Sequence, residues 1–436
     1  MSQSQRSDVV NAIPSPRPSL VYLMTLTLLL DLDDTLLGNS MDTFIPAYLQ
    51  ALSEHLEPFI PPEDLVSTLL SGTQAMMDNN LPDRTLKEAF DQAFYPSLGI
   101  DQHTYVDKFD SFYTEIFPKL KYLTQTRPEA VGMVKEAFNH GYTVAIATNP
   151  LFPRKAILQR LEWAGLSPQN YPFRLIPSYE TFHFAKPNPA FFTETLACLG
   201  WLPGPVVMVG DDFDHDIAPA RLLGFGNYWV TDVEQDSKEK LPGSAGYGGI
   251  EELISWIDSI PGEDLHPDFG HIETMVAVLR ATPAVVHAFS QQLDSANWVE
   301  HPQPGEWSYT EILCHLRDVD SDVNIPRIKK VLEEVNPFLP GIDSDKWAHE
   351  RLYYCQSGPD ALRDFTSSRI QLLEVLDSLE APDWDRPARH AIFGPTNLKE
   401  LVSIIVGHDQ LHTQQAFRFL GDLSKRTVTQ APGLQL

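Results

Sequence analysis

Cysteine is scarce in this chain: Cys198, Cys314 and Cys355 are the only three, and no two form a CxxC pair. That excludes a disulfide framework, offers no thiolate set for structural zinc, and fits a reducing compartment, so a cytoplasmic location is expected. Basic residues are also few. There are 32 Lys and Arg against 59 Asp and Glu, a formal net charge of -27, and a field of that sign repels phosphate backbones and anionic lipid. No nucleic-acid partner is expected. Long apolar runs are missing too: Leu20 to Leu30 spans eleven residues, short of the roughly 20 needed to cross a bilayer. No small-residue cleavage site follows it, so it is not read as a signal peptide, and no membrane partner is expected. It runs directly into Asp31-Leu32-Asp33-Asp34, which suits a buried strand that delivers carboxylates at its C-terminal end.

At 436 residues the chain exceeds one ordinary core and suits two domains. Residues 1–23, rich in Ser, Gln, Pro and Arg, read as a disordered tail, and Met24 is an alternative start at the edge of the first strand. From 24 to 260 short apolar strands alternate with helical stretches, the pattern of an α/β domain with a parallel sheet. The strands are Leu26 to Leu32, Tyr142 to Thr148, Phe173 to Pro177 and Val206 to Gly210, with a fifth at Asn227 to Val230. Between the first two lie helix-like runs at Phe44 to Leu56, Leu65 to Met77, Leu86 to Phe94 and Tyr105 to Phe117, which predict a helical insertion over about 38–127. Loop chemistry fills 232–249, a helix at Glu251 to Ile260 closes the domain, and 261–267 reads as a linker. Residues 268–425 carry four long helical patterns, near 271–294, 308–334, 358–379 and 396–421, which predict a four-helix bundle. Residues 426–436 read as a C-terminal tail.

The carboxylates carry the first chemical signal. An aspartate can attack phosphorus, and a second beside it can protonate the leaving oxygen and then deprotonate water. Thr148-Asn149 ends the second strand, Lys186-Pro187 follows the third, and Gly210-Asp211-Asp212-x3-Asp216 ends the fourth. In a parallel sheet these ends share one edge, where open α/β folds bind ligands. The series Asp31-x-Asp33-x-Thr35, Thr148-Asn149, Lys186-Pro187 and Gly210-Asp211-x4-Asp216 resembles the haloacid dehalogenase superfamily over about residues 24 to 260. The resemblance implies a Rossmannoid parallel sheet with an inserted helical cap. It makes Asp31 the nucleophile, Asp33 the general acid/base, Thr148 and Asn149 phosphoryl binders and Lys186 the group that steadies their charge. Asp31, Asp211 and the backbone carbonyl of Asp33 would hold Mg²⁺, with Asp212 and Asp216 either ligands through water or supports for Lys186. The second aspartate favours phosphatase over dehalogenase chemistry. In the cap, Met76, Met77, Phe90, Phe94 and Tyr95 either line a substrate pocket or form core. His183 and His215 adjoin the motifs with no role assigned.

The last helical pattern holds the second signal. His408 and His412 stand four residues apart, about 40° apart around a helix and able to share a metal. His315 lies in the second pattern, and three neutral imidazoles with an open position suit a catalytic Zn²⁺ or similar ion. Cys314 points about 100° away from His315 on a helix and reads as packing. Glu306-Trp307-Ser308-Tyr309-Thr310-Glu311, with Ser308 as N-cap, the following His315, and Gly407-His408-Asp409-x2-His412-x2-Gln415 resemble the DinB-like family over about 268 to 425, including its bacillithiol-transferase branch. That resemblance implies an all-α four-helix bundle with His315, His408 and His412 as ligands of Zn²⁺ or Ni²⁺. The chain departs from many relatives at Leu411, where they carry a further histidine. Asp318, Asn324 and Trp347 either face the same cavity or have structural roles.

Two enzymatic readings follow. One is an Mg²⁺-dependent phosphatase acting on a small-molecule phosphate ester, fused to a metal-binding bundle. The other puts the main activity in the bundle, as a Zn²⁺- or Ni²⁺-dependent thiol transferase or hydrolase with a low-molecular-weight thiol as partner. A third reading makes one domain a scaffold, and a homodimer through the bundle stays open.

Overall fold

The computed structural model describes residues 25–231 and 245–430, with side chains to 423. The tail over 1–23, Met24, residues 232–244 of the expected loop and residues 431–436 lie outside them.

The first strand, β1 (Thr27–Leu30), is buried on both faces, as a continuous apolar run requires at the centre of a parallel sheet. The chain turns at Asp34, whose φ of 51° lies in the left-handed region that aspartate tolerates, and enters the short β2 (Leu37–Gly38). The cap follows, with helices α1 (Met41–Leu56), α2 (Pro62–Met77), α3 (Leu86–Leu98) and α4 (Gln102–Ser111). The expected helix over Tyr105 to Phe117 stops at Ser111 and passes into a π-turn at Phe112–Ile116. Thr85 and Glu88 form a reciprocal capping box that starts α3. The cap closes at β3 (Gln125–Thr126), which pairs antiparallel with β2 and so ties the two ends of the insertion together.

The sheet domain resumes with α5 (Pro128–Asn139), β4 (Thr143–Ile146), α6 (Arg154–Trp163), α7 (Pro189–Cys198), β5 (Val206–Gly210), α8 (Ala218–Leu222), β6 (Gly226–Val230), β7 (Ala245–Gly248) and α9 (Leu253–Ser259). The five strands run parallel in the order β4-β1-β5-β6-β7. The winding reverses beside β1, so the residues after β1, β4 and β5 meet at a topological switch point.

Two expectations need correction. Phe173 to Pro177 is not a strand. The segment only touches the edge of β4, through Arg174 N to Val144 O at 2.8 Å and Ile146 N to Leu175 O at 2.9 Å. Conversely, the glycine-rich stretch expected to be loop contains β7. A Cβ on Gly246 would lie 2.5 Å from the Tyr228 ring and 2.6 Å from Trp256, so the composition that suggests a loop is what lets this strand pass beneath two aromatic rings.

The second domain holds α10 (Ile272–Ser290), α11 (Tyr309–Val319), α12 (Ile325–Glu333), β8 (Phe338–Leu339), α13 (Trp347–Glu350), α14 (Gly358–Asp377), β9 (Pro387–His390), β10 (Gly394–Asn397) and α15 (Leu398–Gln430). The last helix thus continues through residues expected to begin the tail. A π-turn at Asp320–Asn324 joins α11 to α12, which gives the expected four long helical units. The small β8-β9-β10 sheet was not anticipated. Ser308 caps α11 in a capping box with Glu311, as expected. Helix α10 is long and apolar enough to cross a membrane, but it is largely buried against neighbouring helices, and that packing accounts for its hydropathy.

The two domains share one apolar core. Helix α7 is buried around almost its whole circumference, with α10 covering the side away from the sheet. The Thr193 hydroxyl donates to Ala277 O at 2.9 Å, and Trp201 Nε1 donates to Thr413 Oγ1 on α15 at 2.8 Å. The expected linker is itself packed, since Leu265 is buried, and just beyond it Asp268 N donates to Leu223 O at 2.9 Å.

Candidate active site and three-histidine centre

Two carboxylates of the first site, Asp31 and Asp211, leave the ends of strands. Asp31 follows β1, and its N–H bonds Val209 O at 2.9 Å, which locks it to β5. Asp211 follows β5 directly. Asp216 comes from a π-turn whose start is capped by Asp212, and its carboxylate fills the place where a Cβ on Gly210 would sit, at 2.0 Å. Lys186 Nζ donates to Asp31 Oδ1 at 2.7 Å and to Asp216 Oδ1 at 2.5 Å. Burial alone would push the lysine down, but Asp216 and Asp31 hold it well above its ordinary range, so it stays an ammonium. Asn149 clamps the lysine's backbone from both sides: its Oδ1 accepts Lys186 N at 3.1 Å and its Nδ2 donates to Lys186 O at 3.4 Å. Thr148 is buried at the end of β4.

Oxygen atoms of Asp31, Asp211 and Asp216 all lie within 4.8 Å of one another. Three carboxylates there face one ammonium, so negative charge is in excess. Burial and Asp31 push Asp211 up to about 6, opposed by the Thr35 hydroxyl that bonds it at 3.1 Å. An all-oxygen donor set with surplus negative charge fits Mg²⁺. Asp212 is turned elsewhere. Its carboxylate accepts Asp214 N at 2.9 Å, His215 N at 3.0 Å and His215 Nδ1 at 2.9 Å, so it holds the turn and stays outside the trio.

Asp33 also stands apart from the trio. Asn39 Nδ2 donates to its Oδ1 at 2.9 Å, and the buried guanidinium of Arg160 pairs with its Oδ2. Sequence reasoning missed Arg160, Asn39 and Arg127, which holds the carbonyls of Asp34 and Thr35. None lies in a motif, and Arg160 reads as an ordinary solvated residue of α6. His183 is turned away from the site: its Nδ1 bonds Glu194 Oε1 at 2.8 Å and its Nε2 bonds His287 Nδ1 at 2.8 Å. His215 is spent on Asp212. In the cap, Met77 Sδ touches Asn149 at 3.7 Å, Met76, Phe90 and Tyr95 line a cavity, and Phe94 is core.

The second centre joins α11 and α15. His315, His408 and His412 bring ring nitrogens within 4.8 Å of one another, with 3.0 Å between Nε2 of His315 and Nε2 of His408. His412 Nδ1 meets Gln415 Oε1 at 3.0 Å, which places a proton on that nitrogen and leaves Nε2 free to ligate. Burial first, then His412 and His408, lower His315 to about 2; burial and His408 lower His412 to about 4. Neutral imidazoles are what a transition metal needs, so the set fits a divalent ion. The Trp307 ring lies parallel to His412, 5° between planes and 5.8 Å between centroids. Asp409, next to His408 in the chain, is bridged to Asp320 by the fully buried Arg369, a network no sequence motif announces.

The remaining candidates are structural. Asp318 is bound by Arg317, Arg351 and Tyr353. Asn324 donates to Asp320 at 2.8 Å, and Trp347 carries Arg351 on its face at 3.9 Å. Cys314 is buried, bonds Gln356 Oε1 at 3.5 Å, and has its thiol pushed up to about 11, chiefly by burial. It is not one of the grouped ligands.

Residues 25–224 match the family model of haloacid dehalogenase-like hydrolases, and residues 279–416 match that of the DinB superfamily. The sheet domain is a haloacid dehalogenase-like hydrolase, and the bundle is a DinB domain. The hydrolase domain is 32% identical over 103 residues to phosphoserine phosphatase of Thermus thermophilus, covering 24% of this chain and 39% of that protein. It is 26% identical over 198 residues to phosphoglycolate phosphatase of Aquifex aeolicus, covering 45% of this chain and 80% of that one. YfiT from Bacillus subtilis, a four-helix bundle of unusual topology, aligns to 39% of this chain and 91% of its own at 19% identity, TM-score 0.32.

Proposed function

We propose that the hydrolase domain is an Mg²⁺-dependent phosphatase that hydrolyses a small phosphomonoester through an aspartyl-phosphate on Asp31. The observation that carries this reading is Lys186 bonded to both Asp31 and Asp216 beside Asp211, which joins three separate motifs in one buried cluster. Asp31 forms a bond to phosphorus as the ester oxygen leaves with a proton from Asp33. Asp33 then takes a proton from water as water attacks the aspartyl-phosphate, releasing inorganic phosphate and restoring both carboxyl groups. Thr148 and Asn149 bind phosphoryl oxygens, and Lys186 steadies their charge. Asp31, Asp211 and the carbonyl of Asp33 would hold Mg²⁺, which when bound neutralises phosphoryl charge. The test is release of phosphate from a panel of monoesters, with and without Mg²⁺. Turnover should need the ion and disappear in Asp31→Asn while the circular dichroism spectrum is unchanged; retained turnover would sink the reading.

A second activity in the bundle is supported by three convergent histidines, of which His315 and His412 are held neutral by burial. We propose that they hold Zn²⁺ or Ni²⁺, which when bound lowers the pKa of a ligated thiol or water, for transfer or hydrolysis with a low-molecular-weight thiol as partner. A reducing cytoplasm is the location we propose, and the free thiols of Cys198, Cys314 and Cys355 suit it.

A further inference from the structure

A cavity of about 420 Å³ lies between the cap and the sheet domain, within the range of about 300–1,000 Å³ typical of small-molecule sites. All four cap helices contribute apolar walls, through Ile45, Leu69, Met76, Phe90 and Phe109. The sheet domain closes it with Leu151 and Phe152, which follow Thr148 and Asn149 along the chain. The cavity starts one side-chain layer from the general acid/base. Phe152 has Arg160 over its ring at 5.1 Å, and Arg160 pairs with Asp33. On another wall Met41 touches Asn39 at 3.7 Å, and Asn39 bonds Asp33. A leaving oxygen protonated by Asp33 would therefore carry the rest of its molecule into this space.

The charges of the lining restrict what that molecule is. Its two lysines are both spent, Lys87 on Asp91 and Lys155 on Asp110. Glu180 also faces the cavity, with its carboxylate accepting Arg154 N at 3.1 Å. Among the lining residues, three acids stand against two bases, and no free cation is left to meet a carboxylate. A buried carboxylate without a partner is costly. The polar groups that remain are the Thr73 hydroxyl, which donates to Leu69 O at 2.9 Å, and four phenols. Tyr48 and Tyr113 bond each other at 2.8 Å, and Tyr95 and Tyr179 complete the set. Burial raises all four, so they stay neutral.

We propose, resting on the phosphatase reading above, that this cavity receives the substrate's leaving group and that the leaving group is an uncharged, largely apolar alcohol. Esters that carry a carboxylate, as phosphoserine and phosphoglycolate do, are excluded by the same walls.

The test compares two esters with the same leaving-oxygen chemistry, 3-phenylpropyl phosphate and its para-carboxylate, on the full chain with Mg²⁺. The unsubstituted ester should have a kcat/KM at least about tenfold higher, a factor that corresponds to about 1.4 kcal/mol. Val106→Arg places a free cation on the half-exposed rim and should narrow that ratio. Turnover with equal or reversed preference would overturn this inference and leave the phosphatase reading standing. Turnover on neither would count against that reading instead, and calorimetric titration with 3-phenylpropanol then decides the cavity. Saturable binding, weakened by Met76→Glu, supports the proposal; no binding overturns it.

Discussion

Trp201 Nε1 donates to Thr413 Oγ1 at 2.8 Å, so the residue next to His412 holds the loop that leaves α7 of the hydrolase domain. The two domains are joined by core packing, since α7 has apolar partners on both sides and the segment after α9 packs against the sheet. Residues 25–266 produced alone would expose the α10-facing side of α7, and they should elute as aggregate in size-exclusion chromatography. Trp201→Phe removes one buried hydrogen bond and should lower stability to urea by about 1 kcal/mol. A soluble, cooperatively folding fragment would show that the shared core is dispensable.

Arg160 sets the position of Asp33. It is buried, its Cζ lies 5.1 Å from the Phe152 ring centroid, and burial lowers its pKa to about 10 without discharging it at neutral pH. Arg160→Lys keeps a cation but loses the planar fork, and kcat should fall by about tenfold or more with little change in KM. The pH profile should shift along with it, because an ammonium cannot reproduce the guanidinium's pairing with Asp33 Oδ2. A variant with unaltered kcat and profile would reduce Arg160 to packing.

The parts of this site written as short contiguous motifs were legible in the sequence: Asp31 and Asp211 after their strands, and Lys186 in a loop, converge as their order implied. Arg160 was not, because a single arginine on a helix resembles a solvated one until the fold brings it to Asp33. Strand β7 was hidden by its glycines, whose purpose appears only once Tyr228 and Trp256 occupy the space above Gly246. The union of the domains was missed for a related reason. A helix such as α7, whose apolar residues are interrupted by Thr193, Glu194 and Thr195, does not announce that both its faces are buried or which partner covers the second. Asp212 lies in the same motif as Asp211 and Asp216, but its carboxylate caps the turn.

His408→Ala combined with His412→Ala leaves His315 alone on α11. Zinc and nickel per chain, measured by plasma mass spectrometry on protein purified without chelator, should fall from about one to near zero. Cys314→Ala should leave the metal content unchanged, since its thiol bonds Gln356 and lies outside the histidine group. Loss of metal in Cys314→Ala would place the thiol among the ligands.

The contact between His183 and His287 makes the domain interface sensitive to acid. Glu194 accepts from His183 Nδ1, which leaves His183 Nε2 to accept from His287 Nδ1 at 2.8 Å, and His287 Nε2 then accepts from Gln291 Nε2 at 3.0 Å. His287 can accept at Nε2 only while its ring is neutral. Burial, then His183, lowers His287 to about 4, with Glu88 opposing. A histidine lowered on folding takes up protons more readily when unfolded, so stability is full above about 6.5 and falls as the pH drops toward about 4. Between pH 7 and pH 4.5 this group should cost about 2 kcal/mol. His287→Gln removes the titration, and the difference between its urea midpoint and that of the unmutated protein should change across that range. A constant difference would mean that His287 is protonated as readily in the fold as outside it.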